Sequence, residues 1–416
     1  MYGITIMRRN ALLLVASTVI GAASAQGVGA QQAPAADGGR VHRIDLIADL
    51  LYDDNVARSN PAIAATRGIK PSDTEFRPTV RLTLAQPFGR QSVFLNASTG
   101  YDFYRVNRIL NSERISVDGG AVTRFGPCSQ TLIGNYARSQ SDLALLAVLA
   151  PSANRVQNIS NTERVGLNGS CGQAIGFAPT FGLSEDWVQN SSQLSSPGSR
   201  TFSLNGGVAY RRPSFGSLSL FGSYSKTNFD APTNLPPGVP AFADGFRTYA
   251  GGVTYTRRIG SRLTGTASIS YTSLKPTSRL SRPFSGLTYE FNTSYAVSPR
   301  LNGQLKIARA TSPSTRIGGT YSVSQVYSGE INYALGQRWN LQTGASRQKH
   351  DYLGGQVLPG LDLTKETVDT IFGSARYKLT RRISLTMTLT HENREASLAA
   401  FSYSSNRVGL SASTSF

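Results

Sequence analysis

Apolar side chains recur at every second position in stretch after stretch of the chain. Ile44, Leu46, Ala48, Leu50 and Tyr52 form one such set, and Val93, Leu95, Ala97, Thr99, Tyr101 and Phe103 another. The same rhythm runs through Phe202, Leu204, Gly206, Val208 and Tyr210, and through Ile383, Leu385, Met387 and Leu389. Side chains alternate faces along a strand, so a period of two predicts β-strands with one apolar face. The positions between are Ser, Thr, Asn, Gln, Gly and charge, as in Ser384, Thr386, Thr388 and Thr390. A two-layer sandwich would alternate as well, with its apolar faces meeting in a dry core. Runs as long as these favour a closed wall instead.

The connections carry the same message. Short turns recur at Pro87 to Arg90, Gly126-Pro127, Cys171 to Gln173, Arg212 to Ser214, Ile259 to Ser261, Ser298 to Arg300, Gly336 to Arg338 and Thr380-Arg381. Longer links lie between them, at Asp53 to Asp73, Asp142 to Asn161, Asp230 to Asp244, Lys275 to Pro283 and Asp351 to Lys365. Outer-membrane barrels alternate short periplasmic turns with long outer loops. The expected fold is therefore all-β: a transmembrane antiparallel up-and-down β-barrel of about 18 strands, with 16 as the nearest alternative. One domain, residues 41–416, accounts for this pattern. Pro179 falls inside a strand and calls for a β-bulge. Ala144 to Ala150 is an apolar run that reads either as a strand end or as a short helix folded into the lumen.

The two ends add a destination. Met1 to Ala25 has Arg8 and Arg9, an apolar core from Ala11 to Ala23 and a small-x-small site at Ala23-Ser24-Ala25, the plan of a cleaved signal peptide. Residues 26–40, rich in Ala, Gln, Gly and Pro, read as a flexible periplasmic leader. At the other end Val408, Leu410, Ala412, Thr414 and Phe416 occupy one face of a last strand. This stretch resembles the C-terminal assembly signal of bacterial outer-membrane proteins, departing from it at Ser411 and Thr414. The resemblance implies an outer-membrane location and the barrel-assembly machinery as a partner, with lipid and lipopolysaccharide around the wall.

Charge then shapes the expected function. The formal net charge is +18, and loss of Arg8 and Arg9 takes it to +16. A basic balance suggests nucleic acid, an anionic membrane surface or an acidic substrate. A secreted β protein without a nucleic-acid motif sets the first aside. Arg81, Arg124, Arg211, Arg258, Arg262, Arg300, Lys306, Arg376, Lys378 and Arg382 fall on the polar faces or beside the short turns. Rings of Arg and Lys favour anions through a pore. The competing reading is that such residues pair with wall acids and brace the barrel. Cys128 and Cys171 flank successive short turns, so hairpin register sets them opposite each other, within disulfide reach in an oxidising compartment. The three His lie on distant elements, and no catalytic, cofactor or metal constellation is evident.

The first strand ends Leu51-Tyr52-Asp53-Asp54-Asn55, and after a loop comes Phe76-Arg77-Pro78. This hairpin, with the signal and the barrel pattern, resembles the β-barrel porins of proteobacteria, whose genes often accompany exopolysaccharide biosynthesis. The resemblance implies a channel working with polysaccharide-export proteins and transfers no catalytic residue. Asp53, Asp54 and Asn55 could cap the strand, hold the first loop or bind a cation; bracing fits short polar side chains at a turn. The leading expectation is a channel for anionic solutes in exopolysaccharide export. A general diffusion porin, a non-conducting structural barrel and a surface enzyme stand as alternatives.

Overall fold

Strand follows strand, each pairing antiparallel with its sequence neighbours. The structure, a computed structural model, describes residues 40–141, 143, 157–173, 175–191, 198–230, 245–277, 281–314, 319–354 and 363–416. The expected signal peptide, the leader up to residue 39 and the apolar run 144–150 lie outside the described residues. The strands are β1 (Val41–Asp53), β2 (Asp73–Phe88), β3 (Gln91–Tyr104), β4 (Ser112–Phe125), β5 (Cys128–Gln140) and β6 (Ile159–Cys171). Then come β7 (Gly176–Asn190), β8 (Ser199–Arg212), β9 (Gly216–Phe229), β10 (Gly245–Ile259), β11 (Leu263–Pro276) and β12 (Phe284–Ala296). The last six are β13 (Leu301–Pro313), β14 (Gly319–Leu335), β15 (Trp339–Gly354), β16 (Lys365–Lys378), β17 (Ile383–Ala396) and β18 (Tyr403–Ser415).

The ends of the chain close the wall. β1 pairs with β18 from Asp45 opposite Ser415 to Asp53 opposite Arg407. Phe416 and Ile44 exchange both backbone hydrogen bonds, at 3.2 and 2.9 Å. Closure gives every strand two neighbours, the condition for crossing lipid without orphaned backbone groups. The apolar face points outward: Leu220, Ile269 and Ile371 are 65%, 59% and 61% exposed. Stacked sheets would have buried these side chains. Lipid is the solvent that makes such a surface stable.

Eight short turns gather at one rim and nine longer links at the other. In outer-membrane barrels the short-turn rim faces the periplasm. Gly126 and Gly260 sit in these turns at φ +55° and +59°, the left-handed region that glycine enters without steric cost. No bulge is needed at Pro179. β7 pairs with β8 in unbroken register, while the β6 ladder starts at Ser170 opposite Thr180. Pro179 thus lies just past that ladder's end, an edge-like position where a missing N–H is tolerated.

One seam departs from the regular wall. β12 and β13 pair only from Tyr289 opposite Arg309 down to Ala296 opposite Asn302. β11 stays with β12 up to Leu274 opposite Phe284, and β13 with β14 up to Pro313 opposite Tyr321. Above Tyr289 and Arg309 the two halves of the wall part. Tyr321 and Val323 continue the outward register of β14, yet both are buried, packed with Phe246 and Leu274 from the inward faces of β10 and β11. The Tyr321 hydroxyl donates to the Arg282 carbonyl at 2.9 Å, and the Arg309 guanidinium lies 5.9 Å from the Phe284 ring centre. The upper end of β14 therefore slides inside the upper ends of β10 and β11, and the wall overlaps itself.

Candidate channel lumen and its two mouths

Inward positions adjoin one another along a strand and across neighbouring strands, so opposite charges meet on the lumen wall. Arg77 donates to both carboxylate oxygens of Glu75 at 2.6 Å. Its guanidinium also approaches Asp102 at 3.9 Å, and Arg114 binds Asp102 at 2.6 Å and Thr79 at 3.0 Å. Arg43–Asp45 (3.0 Å), Arg164–Asp186 (3.5 Å), Lys306–Glu290 (3.5 Å) and Arg407–Glu392 (2.8 Å) repeat the arrangement around the barrel. Arg394 and Glu366 form a buried pair, with the Tyr352 hydroxyl donating to Glu366 at 2.6 Å. Pairing at this density braces the wall. Lys306, one of the expected anion-attracting groups, belongs to this paired set.

The short-turn mouth is different. Arg124, Arg211, Arg258, Arg376 and Lys378 face inward within two residues of their strand ends, by the register of β4, β8, β10 and β16. Arg262, Arg300 and Arg382 stand in the turns themselves, with Arg90, Arg338 and Arg381. Arg211 reaches the Ser170 hydroxyl at 3.4 Å and Arg376 the Thr386 hydroxyl at 3.3 Å, both neutral partners. Arg124, Arg258, Arg262, Arg300, Lys378 and Arg382 make no ion pair with a described residue. The eight turns contain no Asp or Glu. Within four residues of a strand end at this rim, the carboxylates among the described residues are Asp45, already paired with Arg43, and the chain terminus on Phe416. Arg81 sits higher, inward on β2 and across from Asp45 in register. Of the expected basic residues, Lys306 is ion-paired, Arg81 stands opposite Asp45 without an ion pair to a described residue, and the others gather at the short-turn mouth.

At the long-loop mouth the lumen fills. The first loop carries α1 (Pro61–Thr66), whose N-terminus is capped by Asn60 accepting from the Ile63 N–H at 2.9 Å. Its Ala64 packs with Ala57, Ile69, Leu110 and Leu143. Arg67 ties this cover down by donating to the carbonyls of Ala57 and Leu143 at 3.1 and 3.3 Å. Asp53, Asp54 and Asn55 staple the loop to β18. Asp53 accepts from the Asn55 N–H (2.8 Å), the Ser405 hydroxyl (2.9 Å) and Arg58 (2.6 Å). Asp54 accepts from the Asn406 N–H and side-chain amide, both at 2.7 Å, and the Asn55 amide donates to the Ser404 carbonyl at 3.0 Å. A second cover of Tyr352, Leu363 and Phe401 sits beside the Arg394–Glu366 pair.

Cys128 and Cys171 face each other in the β5–β6 register at the short-turn rim and are joined by a disulfide. Between the mouths, a groove of about 410 Å³ runs over Thr264, Asn292, Gln304, Lys306, Ser328, Glu330 and Phe372. The Phe372 ring lies over Gly344, where a Cβ would come within 2.7 Å of it, so the glycine lets the ring lie close to the wall. Sequence reasoning passed over Glu75, Arg77, Glu366, Arg394 and Arg407 as lumen residues. For Glu75 and Arg77 the signal was present, since they continue the odd-numbered register of Arg81.

A comparison with curated proteins finds no match. Solved structures similar to the chain include the ferric enterobactin receptor PfeA of Pseudomonas aeruginosa, at 10% identity and a TM-score of 0.48 over 91% of this chain and 81% of that one. The siderophore receptor PirA of Acinetobacter baumannii is 8% identical, with a TM-score of 0.49 over 89% and 80%. The ferric-catecholate import receptor Fiu of E. coli K12 is 10% identical, with a TM-score of 0.45 over 90% and 82%. Likeness at this level carries no argument about ligand or cargo. Residues 238–416, which hold the last nine strands, match the model of the family described as "Putative beta-barrel porin 2".

Proposed function

We propose that this outer-membrane channel passes anionic solutes, and that its cargo is an acidic exopolysaccharide on its way out of the cell. The observation that carries the reading is the lower mouth. Its cations have no ion pair with a described carboxylate, whereas most of the described acids higher in the lumen are paired. An anion arriving from the short-turn side meets guanidinium groups that no wall acid has neutralised. Arg presents a planar fork that matches a carboxylate, and a lining of such groups favours anions over cations. Above the mouth the lumen offers hydroxyls, amides and the Phe372 ring, chemistry compatible with a hydroxyl-rich chain. No catalytic step is assigned to the barrel.

Single-channel block tests this. A uronic-acid oligosaccharide added on the short-turn side should interrupt the current at concentrations where a neutral glucan of equal length does not. Replacing Arg124, Arg211, Arg258 and Lys378 with Gln should weaken that block about tenfold, the equivalent of ~1.4 kcal/mol. Equal block by both sugars would remove the anionic cargo. Normal surface polysaccharide in cells lacking the protein would remove export and leave the channel.

A further inference from the structure

Lys226, Arg247 and Lys275 stand side by side on three adjacent strands. Arg247 is directly opposite Lys226 in the β9–β10 register and directly opposite Lys275 in the β10–β11 register. All three side chains point outward and are exposed, near the long-loop end. Directly opposed residues in a sheet have Cβ atoms about 4.5–5.5 Å apart, and like charges there destabilise the pairing. At three other places on the outer face of this rim a cation meets a carboxylate: Arg138 with Glu113 at 2.5 Å, Arg200 with Glu185, and Arg347 with Asp369 at 2.7 and 2.8 Å. Lys226, Arg247 and Lys275 have no such partner among the described residues. With no described carboxylate to relieve it, their repulsion favours the arrival of an anion.

Position says which anion. One rung below, the tilted rings of Tyr224 and Tyr249 pack with centres 5.2 Å apart, and a rung further down Tyr271 is 58% exposed on the next strand. Outward tyrosines at this height mark the boundary between hydrocarbon and headgroups. Two residues of strand rise about 7 Å, which sets the cation row just above that boundary, among the headgroups of the outer leaflet. We propose that Lys226, Arg247 and Lys275 form a binding site for the phosphates of a lipopolysaccharide, with the sugar carrying those phosphates resting over Tyr224 and Tyr249. Three cations spaced about 4.8 Å apart across the strands would share charge-assisted bonds with phosphate oxygens. The site is on the lipid face and independent of what passes through the lumen.

The test is binding of bisphosphorylated lipid A, presented in detergent, to the purified full-length barrel. Lys226→Gln/Arg247→Gln/Lys275→Gln should bind it at least about tenfold more weakly. Lys226→Arg/Lys275→Arg should stay within about twofold of the parent. Folding of each variant is checked by heat-modifiable migration on gels. Dephosphorylated lipid A should bind the parent as weakly as the intact lipid binds the triple variant, and millimolar inorganic phosphate should not displace the lipid. Unchanged binding by the triple variant would overturn the proposal. Displacement by inorganic phosphate would also overturn it, in favour of a free-anion site.

Discussion

Glu366 and Arg394 show how much one lumen pair can matter. Both side chains are almost fully buried, and Arg394 also lies 5.8 Å from the Phe401 ring centre and 5.9 Å from that of Tyr403. Removing one partner strands the other charge away from water, a loss of about 3–5 kcal/mol. Glu113 and Arg138, on the exposed outer face, form a pair whose removal costs about 0–1 kcal/mol. Urea unfolding of Glu366→Ala and Glu113→Ala in detergent micelles should separate the two by at least about 2 kcal/mol. Equal midpoints would mean that the buried pair holds nothing. Individual roles of this kind were only half legible in the sequence. Period-two alternation places Arg81 and Glu290 on a wet face, but whether a cation is paired depends on strand register. Lys306 and Arg258 look alike as letters; Glu290 stands 3.5 Å from one, and no described carboxylate pairs with the other. The staple from Asp53, Asp54 and Asn55 likewise needs Ser404, Ser405 and Asn406, some 350 residues away, which only closure brings near.

Among the elements, the β12–β13 contact is the informative one. Its ladder holds eight residue pairs, against fourteen for β10–β11. A seam with few backbone hydrogen bonds, held instead by aromatic packing, is where the wall is weakest. Cysteine pairs report this directly. Ser294→Cys with Gln304→Cys, opposite in register and both inward, should oxidise readily to a disulfide. Thr288→Cys with Ala310→Cys, the next inward pair upward had the ladder continued, should not. Efficient bridging of both pairs would restore an unbroken seam and discard the overlap. Sequence could not reveal this element. Tyr321 and Val323 keep the alternation of every lipid-facing residue, and their burial follows from the strand's path. The strand number, by contrast, was legible because turn glycines and prolines punctuate it regularly.

For the whole molecule, two asymmetries govern behaviour. Across the wall, apolar side chains face out and polar ones face in, which fixes lipid outside and water inside. Along the axis, unpaired cations collect at the short-turn mouth while packed covers and paired acids occupy the other. The first asymmetry was plain in the sequence. The second was foreshadowed by turns rich in Arg and devoid of Asp and Glu, though the covers were not, since they assemble from links distant along the chain. Salt should modulate the second strongly, because the Debye length falls from about 10 Å at 0.1 M to about 3 Å at 1 M. The direct measurement is the reversal potential of the purified barrel in a planar bilayer under a KCl gradient. The account predicts a conducting pore with chloride preference that declines at molar salt and after Arg124, Arg211, Arg258 and Lys378 are changed to Gln. Potassium preference, or no current at all from the folded barrel, would contradict it.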